Sequence, residues 1–209
     1  MAPAARRDDR GANVAATKST CAQVARCGPW PLEEEERLSG RVRYQTWIPG
    51  RRSRQALLGL LTDGAVLLGM GNELRGDDGF GPALARALDP TRGLRCLDAG
   101  PTPENHLERV ARLHPHDVII ADAACLDDVP GAWEILDAAA VASAGVTTHD
   151  IPIHMLMEYL ADRCGARVRM LAVQPARVTL GTPLSPEVTR TLRRLVRFIR
   201  GARTPSTGR

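Results

Sequence analysis

Two adjacent acids, Asp77 and Asp78, stand inside the stretch AVLLGMGNELRGDDGFG at 65–81. A short apolar run and a glycine pair, Gly69 and Gly71, precede them, and a second pair, Gly79 and Gly81, follows. Pro82 then opens PALARAL, which reads as a helix. Strand, glycine-rich loop and helix form the first half of a βαβ unit. A loop leaving the carboxyl end of a strand is where open α/β sheets place their ligands. Two acids near a helix start suit that terminus, so capping is one reading and holding a cation is another. A nucleotide is disfavoured. The dinucleotide fingerprint needs a glycine where Leu74 stands, no Lys-Ser or Lys-Thr follows, and the carboxylates would repel phosphate.

Two more polar residues fall where such a loop could meet them. Asp122 lies near the end of the apolar run DVIIADAA at 117–124, and His149 precedes a helical pattern. Each alone has a structural reading, Asp122 as the cap of a turn and His149 as a helix-start residue. Two carboxylates and an imidazole at one sheet edge would suit a divalent transition metal. The chain shows no H-E-x-x-H motif, and no Ser-His-Asp or Cys-His set is apparent. Its five cysteines, Cys21, Cys27, Cys96, Cys125 and Cys164, are widely spaced without a C-x-x-C. That pattern argues for neither a disulfide framework nor a zinc site. Cys96 sits within a strand, where a buried thiol is inert.

The elements that must carry these residues alternate. Strands are expected at 65–68, 94–97, 117–124, 133–136 and 168–173. Helices are expected from 82 to 88, from 103 to 113, around Ile153, Leu156, Met157 and Leu160, and from 186 onward. A loop is expected at 142–149. Thr102-Pro103-Glu104 and Ser185-Pro186-Glu187 are helix-start signals. The alternation predicts a three-layer α/β domain: a mostly parallel, twisted sheet of about five strands with helices on both faces.

The regular pattern divides the chain into an irregular extension at 1–61, the α/β domain at 62–203 and a tail at 204–209. The net charge of +4 belongs to the extension, where 11 Lys+Arg stand against 6 Asp+Glu; the remainder has 17 against 18. No basic stripe with interleaved aromatics points to nucleic acid. No run approaches the length of a membrane span, so the expectation is a cytoplasmic protein, monomeric and without a membrane partner.

Five motifs in order carry a resemblance: GMGNELRGDDGFGP at 69–82, LDAGPTPEN at 97–105, IIADA at 119–123, TTHDIP at 147–152 and AVQP at 172–175. Together they resemble the nickel–iron hydrogenase maturation endopeptidases, above all the branch that processes the large subunit of the formate-hydrogenlyase hydrogenase. The resemblance implies an enzyme that removes a C-terminal extension from the hydrogenase large-subunit precursor after nickel insertion. It implies that Asp78, Asp122 and His149 contact the metal and carry the catalysis. The nickel would be presented by the substrate, not held tightly by the free enzyme. Asp98 matches an acid at the end of the family's second strand. Two rivals remain from other classes: a nickel-site chaperone that binds without cleaving, and a nucleotide-binding α/β domain.

Overall fold

A computed structural model describes residues 51–143 and 152–203. Five strands form one sheet: β1 (Ala65–Met70), β2 (Leu94–Gly100), β3 (Asp117–Ala123), β4 (Trp133–Leu136) and β5 (Arg167–Val173). Their order across the sheet is β2-β1-β3-β5-β4. The pairs β1–β2, β1–β3 and β3–β5 are parallel, and β4 runs antiparallel to β5 at one edge. All six residues of β1 and all seven of β3 are buried. Strands covered on both faces read as unbroken apolar runs, which is why these two are so plain in the sequence.

Helices cover both faces. On one face Leu57 and Leu60 of α1 (Arg51–Leu60) and Phe80, Leu84 and Leu88 of α2 (Phe80–Leu88) join Leu195 and Ile199 of α6 (Pro186–Arg203). They pack on Leu67, Ile119 and Leu171. On the other face lie Val110 of α3 (Leu107–Ala111), Val141 of α4 (Ala138–Ser143) and Ile153, Met157 and Leu160 of α5 (Ile153–Cys164). Their partners are Val66, Leu68, Val118, Ile120 and Met170. Alternate residues of each strand feed opposite cores, as the period of two requires. The expected three-layer α/β fold is thus the observed one. No helix among the described residues is long and apolar enough to cross a membrane.

Several elements depart from expectation, β1 by running on to Met70 and the helix expected from 103 to 113 by opening as a 3-10 turn at 103–106. A helix, α1, occupies 51–60, inside the stretch expected to be irregular up to 61. Its apolar signal is confined to its last turns, and arginines fill its start, so no sustained period announces it. Leu57 is fully buried and Leu60 nearly so, and Arg54 stacks over the Phe198 ring at 5.0 Å. The packed domain therefore begins before residue 62. The helix α4 takes up 138–143, overlapping the start of the expected loop at 142–149. Asp137 starts it, its Oδ1 accepting from the Ala140 amide at 2.9 Å. Finally, β2 runs three residues past Leu97 to Gly100.

The amino edge of the sheet is tied down. Asp117, buried at the start of β3, accepts from Thr62 Oγ1 at 2.5 Å and from Arg167 Nε at 2.7 Å. Arg203, at the end of α6, donates to the carbonyls of Leu61 (2.6 Å) and Arg92 (3.0 Å) and pairs with Asp63 at 2.6 Å. The carboxyl edge is left to the loops.

Candidate functional site

From β1 the chain crosses through α2 to β2 on one side, while β3 lies on the other side of β1. The carboxyl ends of β1 and β3 therefore flank the point where the connections part company. Open α/β sheets form their ligand crevice at such a switch point. Asp78 follows β1, and Asp122 is the next-to-last residue of β3.

Glycines let these two segments close on one another. Gly71, just past β1, has φ +125°, and a side chain there would begin 1.9 Å from the Asp78 carbonyl oxygen. The same position lies 3.3 Å from Asp122 Oδ1. One spot thus touches both the Asp78 segment and the Asp122 carboxylate. Gly81, in the first turn of α2, is packed against the Met70 and Ala121 carbonyls; a Cβ would fall 2.3 and 2.2 Å from them. The start of α2 rests directly on the ends of β1 and β3, which fixes where Asp78 sits. The two glycine pairs of the sequence are contact points, not a phosphate cradle.

Asp78 is half-buried, in a short 3-10 turn at Gly76–Gly79. Its Oδ2 accepts from the Asn72 amide at 3.0 Å, and Asn72 Oδ1 accepts from the Leu74 amide at 3.0 Å. The Asn of the motif thus shapes the loop and presents its own amide to the Asp78 carboxylate. Asp122 is fully buried, and its Oδ1 accepts from the Ala123 amide at 2.8 Å. The N-cap position of α2, Gly79, carries no side-chain cap bond. His149 lies outside the described residues. Among the described residues no three His, Cys, Asp or Glu side chains gather as a metal-holding group, and the pair Asp78 and Asp122 is what the fold brings to this corner.

Asp77 does something the sequence does not announce. Its side chain is fully buried and points away to the loop between β5 and α6. Oδ2 accepts from the amides of Ala176 (2.8 Å) and Arg177 (3.0 Å), and Oδ1 from Ser185 (2.6 Å). Three N–H donors on one carboxylate satisfy a buried charge that would otherwise be costly. Backbone bonds run alongside: Asp77 N to the Arg177 carbonyl at 3.1 Å, Gly76 N to Thr182 at 3.0 Å and Gly181 N to Leu74 at 2.7 Å. The donors lie about a hundred residues downstream, so nothing local could reveal this role. Gln174 is another such pin, its Oε1 accepting from the Leu126 amide at 2.6 Å. Asp98 is held by Arg86 at 2.5 Å, and the same guanidinium pairs with Glu73.

The cysteines stand apart. Among the described residues Cys96 and Cys164 are free thiols. Burial, with the Asp89 charge second, pushes the Cys96 thiol up to about 11. Burial likewise raises Cys164. Both are therefore poor nucleophiles at neutral pH.

Comparison with known proteins gives the family of the chain. The family model described as hydrogenase maturation protease (HycI) matches residues 81–202, more than half of the chain. The match opens at Gly81, so the agreement does not depend on the Asp78 loop. The chain is 34% identical over 126 residues to the hydrogenase 3 maturation protease of Escherichia coli K12, covering 59% of this chain and 80% of that one. The crystal structure of the HycI protease of Thermococcus kodakarensis superposes with a TM-score of 0.64 at 26% identity, covering 70% of this chain and 97% of the other. The solution structure of the endopeptidase HycI from Escherichia coli gives a TM-score of 0.59 at 30% identity, with 66% and 89% covered. The sheet order and these likenesses agree, and the chain belongs to the hydrogenase maturation protease family.

Proposed function

We propose that this protein is the endopeptidase that removes the C-terminal extension of a nickel–iron hydrogenase large-subunit precursor after nickel has been inserted. Family membership supplies the reaction class. One observation carries the reading to these residues: the Asp78 segment and the Asp122 carboxylate meet at the switch point between β1 and β3, around Gly71. Asp78, Asp122 and His149 are the proposed metal-contacting set, and nickel is part of the substrate, already held by the precursor. Two oxygens and an imidazole nitrogen suit a borderline divalent ion whose remaining ligands come from elsewhere. Such an ion can polarise a scissile carbonyl or a water as a Lewis acid.

The chain's own residues then have distinct tasks. Asp122, on the rigid central strand, fixes one ligand position. Asp78, on the loop and half-buried, is the one placed to move a proton, and we assign it the general-base role. The proteolysis is thus metal-assisted with carboxylate participation. The test is a mass spectrum of nickel-loaded precursor incubated with the full chain. Loss of the mass of the extension supports the reading. Stable binding without cleavage would make the protein a chaperone of the nickel site instead.

A further inference from the structure

Leu74 and Leu180 are the most exposed large apolar side chains among the described residues, at 68% and 73% of full accessibility. Scattered surface leucines need no explanation. These two are not scattered. Gly181 N donates to the Leu74 carbonyl at 2.7 Å, Gly76 N to the Thr182 carbonyl at 3.0 Å, and Arg75 pairs with Thr182 as a parallel bridge. Residues 74–76 and 180–182 therefore run side by side as a lip. Asp77 clamps that lip from below through its bonds to Ala176, Arg177 and Ser185. A lip so held spends little entropy when something docks on it.

One side of the lip is the loop that carries Asp78. Leu74 precedes Asp78 by four residues on one loop, so its backbone lies within about 14 Å of that acid. An extended polypeptide advances roughly 3.3 Å per residue. A substrate whose scissile bond lies at Asp78 can reach the lip within a few residues of the cut.

We propose that Leu74 and Leu180 dock an apolar residue of the precursor polypeptide that flanks the scissile bond. The inference rests on the function proposed above and names the surface that recognises its substrate. The occupant is the substrate chain because Leu74 lies on the same loop as Asp78, within about 14 Å of it along the backbone.

The test uses the full chain with nickel-loaded precursor, read by steady-state cleavage and by a direct binding titration. In the double variant Leu74→Ser/Leu180→Ser, KM and the binding constant should both weaken about tenfold, equivalent to about 1.4 kcal/mol. The turnover number should stay within about twofold, as expected for lost uniform binding. Leu74→Met/Leu180→Met, which keeps the apolar area, should restore binding. Unchanged binding in the serine variant overturns the proposal. So does a loss confined to turnover that methionine fails to rescue, which would mean that the leucines shape the loop. Sedimentation completes the test: a wild-type dimer that the serine variant dissolves at unchanged KM would assign the pair to self-association and overturn the proposal. Wild-type protein that binds precursor without cutting it would sink the protease reading, while weaker binding by the serine variant would still support the docking surface.

Discussion

Replacing Asp78 with asparagine keeps the size of the side chain and removes its charge. The same holds for Asp122→Asn, while His149→Ala deletes the proposed nitrogen ligand. Each variant should lower cleavage of nickel-loaded precursor on the order of a hundredfold or more, the scale of a lost acid–base group. Circular dichroism should show the fold intact. Wild-type rates in all three would sink the site assignment. The neighbouring acid behaves differently. An asparagine at 77 can accept with one oxygen but turns an amide toward the donors of the other side. Since Asp77 holds three backbone N–H groups, Asp77→Asn should cost about 1–3 kcal/mol. It should appear first as a lower melting temperature, where Asp78→Asn leaves melting unchanged. The thiols give a third residue-scale outcome. With Cys96 at about 11, its thiolate fraction at neutral pH is roughly a hundredfold below that of an ordinary cysteine. Iodoacetamide at neutral pH should label it slowly and leave cleavage intact. Activity lost in step with labelling of Cys96 or Cys164 would indicate a nucleophilic thiol.

Among the elements, α1 changes where the domain can be cut. A protein starting at residue 62 would lack Leu57 and Leu60, whose burial contributes about 1.5–3 kcal/mol for each fully covered side chain. It would also uncover the part of β3 and β4 against which the helix packs. A protein starting at Arg51 keeps the helix. Denaturant titration should therefore show the shorter form several kcal/mol less stable than the longer one. Equal midpoints would mean that α1 adds nothing. Other elements were legible for physical reasons. The strands β1, β3 and β5 are apolar runs because a covered parallel sheet demands them. The starts of α6 and of the 3-10 turn before α3 carry their proline signals in the sequence. The helices α1 and α4 were not legible, because one has its apolar residues only in its last turns and the other is six residues of mostly alanine.

At the scale of the whole molecule, the sheet order decides what the site can be. Placing β1 between β2 and β3 parts the connections at the corner where Asp78 and Asp122 stand, and motif order in the sequence already put both acids at strand ends. What no motif could show was the identity of the contacts: Gly71 as the shared neighbour of both acids, and Asp77 as a clamp rather than a ligand. Long-range hydrogen bonds leave no local pattern to read. The proposed metal set also has a consequence for the molecule as a whole. Two carboxylates and one imidazole leave coordination positions that the precursor must fill. The isolated protein should retain no stoichiometric nickel after dialysis, and it should capture nickel-loaded precursor in preference to nickel-free precursor. Equal capture of both forms would remove the metal from recognition.

The clamp between the first and last loops of the domain bears on how this protein can be re-engineered. Since Asp77 and three backbone hydrogen bonds weld residues 74–77 to 176–185, the two segments are one mechanical part made from distant stretches of chain. A chimera that imports the first loop from a relative, but keeps the native second loop, would set a foreign length against a fixed template. Such single grafts should yield misfolded or poorly expressed protein, and paired grafts should not. Substrate preference in this scaffold would then be transplanted as a matched pair of loops or not at all.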